Sequence, residues 1–296
     1  MRRTRTGSGL LELLVALPVM ALLGVVVVQL LISVHRQVLR TDGAAGASRE
    51  LRHGAGVLVA ELRVIQPVDL VAWSDTAVEF EGLVGVGVVC AAAMRVADLA
   101  ILDADSGAHV SQPLATMWNQ PAQAGDRVDY WLAGTSPADS VRAETRALRS
   151  VSHSNDCAQS PLAPASAGSL RIALNDTISG AVMTGSVVRV LRRTRYSLYR
   201  AGDGDWYLGR RTRGAVGWDV IQPVAGPLHA PRDRGMLIRV LDAAGARLDS
   251  AAGSEAARVR FLMRAPQRAG RAAPSKASSD SVTFEVALRA FHGRAP

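Results

Sequence analysis

The sequence predicts an α+β chain. One long N-terminal helix, with a transmembrane half and an amphipathic half, packs on a C-terminal antiparallel β-rich domain. Three observations predict this. An apolar run extends from Leu10 to Val34 with Glu12 as its one carboxylate. Apolar residues then recur at spacings of four and three over Leu51, Ala55, Leu58, Leu62 and Ile65, which is one helical stripe. Beyond Pro67 the pattern changes to period two with glycine-rich punctuation. A helix followed by runs of strands reads as α+β.

The elements follow in order. Residues 1–7 are a basic leader, with Arg2, Arg3 and Arg5 ahead of the apolar run. Residues 8–34 exceed the roughly 20 apolar residues that cross a bilayer and read as a transmembrane and assembly helix. The arginines place the N-terminus in the cytoplasm by the positive-inside rule. Residues 35–66 are the amphipathic continuation, weakened over Thr41–Gly46 by glycine. Pro67 ends the helix, because the residue before a proline avoids the helical region.

Residues 67–296 form the β-rich domain, placed in the periplasm. Ala77–Glu81, Leu83–Cys90, Leu99–Leu102, Arg127–Leu132 and Ser169–Leu174 read as strands. Gly134–Pro164 is rich in Ser, Pro, Ala and Asp and reads as loop. Val187–Tyr199 and Trp206–Arg210, joined by Arg200-Ala-Gly-Asp-Gly-Asp205, form the best hairpin. Gly217–Val224, Met236–Leu241, Arg258–Arg264 and Val282–Leu288 complete the strands, and Pro266–Asp280 reads as loop.

The 296 residues carry a net charge of +8. The arginines are spread through strand-like segments, with no helix-turn-helix, zinc-finger or RNA-binding signature, so nucleic acid is not an expected partner. Cys90 and Cys157 are the two cysteines, and in an extracytoplasmic domain the pair reads first as one disulfide, with free thiols and a metal pair as alternatives. Gly202-Asp-Gly-Asp205 reads as a turn rather than a calcium loop, because the spacing of an EF-hand is incomplete. The six histidines are scattered without ligand spacing. There is no nucleophile elbow and no P-loop, so no enzyme, no metal and no cofactor is expected.

Gly7-Ser8 before a hydrophobic helix, with Glu12 five residues after the glycine, resembles the N-terminus of type IV pilins and the pseudopilins of type II secretion. The order of helix, cysteine-bearing strand and the hairpin RYSLYRAGDGDWYLGRR resembles the J-type minor pseudopilins and W-type minor pilins. The resemblance implies a pilin-like fold and a noncatalytic subunit that primes or caps a type IV pilus or type II secretion pseudopilus. It implies cleavage between Gly7 and Ser8 by a prepilin peptidase, methylation of the new terminus, and Glu12 as the residue that guides assembly. It also implies other minor and major pilins or pseudopilins and an inner-membrane assembly platform as partners. The chain would be single-pass in the inner membrane and then at a filament tip. The alternative is a single-pass anchored extracytoplasmic binding protein that never enters a filament.

Overall fold

The computed structural model describes residues 8–90, 93–94, 98–102, 117–132, 142–154, 156–157, 160, 169–178, 181–249, 255–266 and 279–289. α1, Ser8–Leu62, is one helix and continues through the glycines at 43 and 46. Its C-terminal turns carry the predicted stripe. Leu51, Leu58 and Leu62 are buried, whereas Arg49, Glu50 and Arg52 face solvent. The helix stops at Leu62, ahead of the proline. A short 3-10 turn, Pro67–Asp69, follows, and Asp69 Oδ2 accepts the Gln66 N–H at 2.9 Å.

Strands are numbered along the chain. The larger sheet runs β1 (Leu70–Ser74), β2 (Ala77–Val88), β10 (Val187–Arg200), β6 (Arg127–Leu132), β7 (Arg142–Ser154), β8 (Ser169–Leu174) and β4 (Asp98–Leu102). β11 (Trp206–Thr212) also pairs with β10, β12 (Gln222–Leu228) with β11, and β5 (Met117–Trp118) with β2. A second sheet contains β13 (Met236–Leu241), β14 (Arg258–Pro266) and β15 (Ser279–Ala287). The short β3 (Ala93–Met94) and β9 (Ala181–Val182) pair with each other. Every one of these pairings is antiparallel.

β10 organises the molecule. Its even-numbered residues Val188, Val190, Arg192, Thr194, Tyr196 and Leu198 are all buried, as expected for one face of a strand. Tyr196 and Leu198 enter a core with α1, β2, β11, β12 and the second sheet. Phe80 stacks on Tyr196 there, with ring centroids 6.1 Å apart. Val188 and Val190 enter a different core, with Val84, Val128, Tyr130, Leu148, Ile172 and Leu174. Gly54 is required where α1 meets β12: a Cβ there would lie 2.7 Å from Ala225 Cβ. The second sheet is tied to the first by the Ile238 N–H donating to Asp75 O at 2.8 Å, and to the end of α1 by Arg289 N–H donating to Ile65 O at 3.0 Å.

The fold class is corrected at its first half. Among the described residues no helix is long and apolar enough to cross a membrane. The architecture is thus an α+β domain of two main sheets against the C-terminal part of α1, not a transmembrane helix on a pilin domain.

Gly134–Pro164 also departs from its loop reading, since β7 lies inside it. β7 is polar along much of its length, and it is held by pairing to β6 and β8 on its two sides rather than by its own propensity. β12 starts at Gln222, later than Gly217, and Trp218 joins the ladder only through an isolated bridge to Arg213.

Candidate functional site

The predicted site residues do not converge. Gly7 lies outside the described residues, and Ser8 and Glu12 lie in α1 with side chains that are also outside them. Cys90 and Cys157 are joined by a disulfide, and both are buried. Closing a 67-residue separation removes unfolded-chain entropy equivalent to about 4 kcal/mol in the loop-closure account. The Gly202–Asp205 segment is a tight turn. Gly204 has φ 87°, Asp203 Oδ1 accepts the Asp205 N–H at 3.0 Å, and Asp203 Oδ2 accepts the Tyr207 hydroxyl at 2.8 Å. Among the described residues no three His, Cys, Asp or Glu side chains gather as metal ligands.

Charge is instead concentrated inside the sheet. Between the two cores, Arg192 and Asp126 form a bidentate pair: Nε to Oδ1 at 2.7 Å and Nη2 to Oδ2 at 2.8 Å. Their side chains are only 8% and 1% exposed. Arg192 Nη2 also donates to Pro121 O at 2.8 Å, and Asp126 Oδ2 accepts the Gln123 N–H at 2.8 Å. Arg192 Nη1 adds a longer contact to Gln120 Oε1 at 3.4 Å, and such additional bonds help offset the desolvation of a buried pair.

A second network lies on the opposite face of β10. Arg127 donates through Nε and Nη2 to Asp129, each at 2.8 Å, and Arg189 Nη2 donates to Asp129 Oδ2 at 2.9 Å. Both arginines also reach the fully buried Asp69, at 3.3–3.4 Å. Burial pushes the Asp129 carboxyl up, but Arg127, Arg189 and Thr145 outweigh it and hold it below the usual carboxylate range. Glu81 stands beside this network as an additional carboxylate. Its burial raises its pKa, against the pull of Arg127 and Arg193 and with the push of Asp69 and Asp129. In the second core, burial and the hydrogen bond from Tyr130 to Glu144 Oε2 at 2.9 Å raise the Tyr130 phenol.

The outer face of β10 and β11 carries a third cluster. Arg193 and Arg195 on β10 neighbour Arg211 on β11 and Arg213 just beyond it, and Arg195 lies directly opposite Arg211 in the ladder. Glu79 and Glu81 on β2 lie opposite Arg195 and Arg193. Arg211 stacks over Trp218, its Cζ 4.8 Å from the ring centroid. Beside it, Val216 and Val220 are 105% and 86% exposed.

Sequence reasoning missed all three clusters. Their residues are far apart in sequence, Arg192 from Asp126 by 66 positions and Arg189 from Asp69 by 120, and only strand register brings them together. The alternation of β10 carried a signal: an arginine at each of 189, 193 and 195 on one face, and Arg192 among Val188, Val190, Tyr196 and Leu198 on the other.

No family model, curated protein or solved structure matches this chain. The resemblance to pilins and pseudopilins therefore stands on sequence pattern alone, and the absence of a membrane-length apolar helix among the described residues overturns it. With it go the minor-pilin function and the single-pass anchored alternative. The inner-membrane placement, with cytoplasmic N-terminus and periplasmic domain, goes too. So do the prepilin peptidase, pilin and assembly-platform partners, because each rested on that helix.

Proposed function

We propose that the protein is a noncatalytic structural subunit that self-associates through the apolar segment of α1 at 20–34. One observation carries this reading. Leu22, Leu23, Val25, Val26, Val27, Val28, Leu30, Leu31, Ile32 and Val34 are each 46–67% exposed, and Met20 is 72% exposed. These positions cover every face of the helix rather than one stripe. A helix that is apolar all round is stable only when other groups surround it, and an apolar surface of this size marks an association site.

The occupant is the same segment of further copies. No charge interrupts 20–34, and Gln29 and Ser33 are its only polar side chains, so like segments pack without burying an ion. A single neighbour covers one face, so more than two copies are needed to enclose the helix. The noncatalytic part of the reading draws on the buried charges: Asp126, Asp129 and Asp69 are each bound to guanidinium groups, which is the arrangement of a structural ion network.

The test is the mass of the full chain by sedimentation and light scattering. The wild type is expected as an oligomer larger than a dimer, and Val27→Glu with Leu31→Glu as a monomer. A monomeric wild type, or a double variant with unchanged mass, rejects the reading.

A further inference from the structure

On the outer face of β10 and β11, Arg193 pairs closely with Glu79 at 2.9 Å, whereas Arg195, Arg211 and Arg213 have no close carboxylate among the described residues. Arg195 and Arg211 are direct cross-strand neighbours, a placement in which like charges repel. Glu79 approaches Arg195 only to 3.9 Å. Arg211 has no carboxylate partner among the described residues, and neither has the exposed Arg213. The Nε atoms of Arg195 and Arg211 are both buried and hydrogen-bonded to nothing described. Unmade hydrogen bonds and an opposed charge pair are both destabilising.

We propose that this face, Arg195, Arg211 and Arg213 with Val216, Trp218 and Val220, is a docking surface for an acidic polypeptide segment of another protein, one that carries apolar residues beside its carboxylates. Guanidinium groups present paired N–H donors that match a carboxylate edge to edge. Trp218 fixes the plane of Arg211 by stacking, so less side-chain freedom is lost on binding. Val216 and Val220 extend the surface with fully exposed apolar groups.

Two features select a short acidic peptide over a nucleic-acid strand. Glu79 and Glu81 occupy the β2 side of the patch, so a long polyanion crossing the sheet meets like charge. Trp218 already has one ring face against Arg211, which leaves no row of free rings for successive bases. The inference is independent of self-association through α1, because it rests on β10, β11 and the segment after them rather than on residues 20–34.

The experiment measures binding of a fluorescein-labelled peptide of alternating Glu and Val to the full-length protein by anisotropy. A Glu-Ser peptide and oligothymidylate serve as comparators. Saturable binding of the Glu-Val peptide is expected, weaker for the Glu-Ser peptide and weakened by salt. Arg195→Gln with Arg211→Gln should reduce affinity about tenfold or more, the loss of one or two charge-assisted hydrogen bonds. Val216→Ser with Val220→Ser should reduce it about threefold or more. The arginine double variant should stay folded and melt close to the wild type, since it loses the Arg211–Trp218 stack and the Arg195–Glu79 approach but also the Arg195–Arg211 repulsion. Absence of saturable binding overturns the proposal, as does equal binding by the arginine double variant. Tighter binding of oligothymidylate overturns it in favour of a nucleic-acid face. Failure of the double variant to fold assigns the pair a structural role and overturns it as well.

Discussion

The two cores that share β10 are closed by different means. The core containing Tyr196 has α1 on one side and the β13–β15 sheet beside it, so Leu51 and Leu58 from α1 and Phe261 and Met263 from β14 supply apolar area around it. The core containing Val190 has no helix over it among the described residues. Polar pairs stand at its margin, Tyr130 with Glu144 and Arg192 with Asp126, and the Cys90–Cys157 disulfide ties the residue after its Val89 to the segment that follows β7. A core that lacks a lid buries less apolar surface per ordered residue, and a covalent link offsets this by restricting the unfolded chain. One strand can thus serve two cores because its buried face changes chemistry midway, at Arg192.

The comparison is broken most severely at that boundary. Asp126→Ala leaves Arg192 buried without its partner and should cost about 3–5 kcal/mol, read from the denaturant midpoint. A loss below 1 kcal/mol would mean that the pair lies in effective contact with water.

Leu58→Ala should remove about 2–5 kcal/mol by opening the helix-covered core. Hydrogen exchange should then accelerate in β13–β15 before β7 and β8. Uniform acceleration would mean that the two cores unfold as one unit.

Reduction, or Cys90→Ser with Cys157→Ser, should cost about 2–4 kcal/mol with the reverse pattern, β7 and β8 exchanging first. Loss of protection in α1 at the same time would contradict the division.

The smallest effect is at Glu81, and it depends on pH. A carboxyl raised in the folded state contributes stability below its unfolded value near 4.3, and loses that contribution as pH rises through its folded value. Glu81→Gln should therefore raise the melting temperature at pH 7, with the advantage shrinking as pH falls toward about 4. Asp129 works in the opposite sense: its depressed pKa gives stability above about 3.9 that is lost in stronger acid. A Glu81→Gln variant less stable than wild type at pH 7 would show that ion pairing with Arg193 outweighs burial.

Much of the fold was legible locally. The stripe Leu51, Leu58 and Leu62, the β10–β11 hairpin with its Gly-Asp-Gly turn, and strands such as Arg127–Leu132 and Ser169–Leu174 follow from periodicity and turn chemistry, which neighbouring residues set. β7 was illegible, because its Ser, Arg and Ala residues favour no element until two partner strands flank them. The candidate site was the least legible part. Arg195 and Arg211 are sixteen residues apart and read as scattered charge until the register sets one opposite the other.

The sequence by itself determined where helix gives way to strand, which faces are apolar and which residues turn the chain, since these are short-range consequences of backbone and side-chain chemistry. Only the tertiary structure decided that β10 divides two cores, that Arg192 meets Asp126 across 66 positions, and that four arginines share an outer face. Such pairings depend on which strands become neighbours, and strand order is a property of the whole chain.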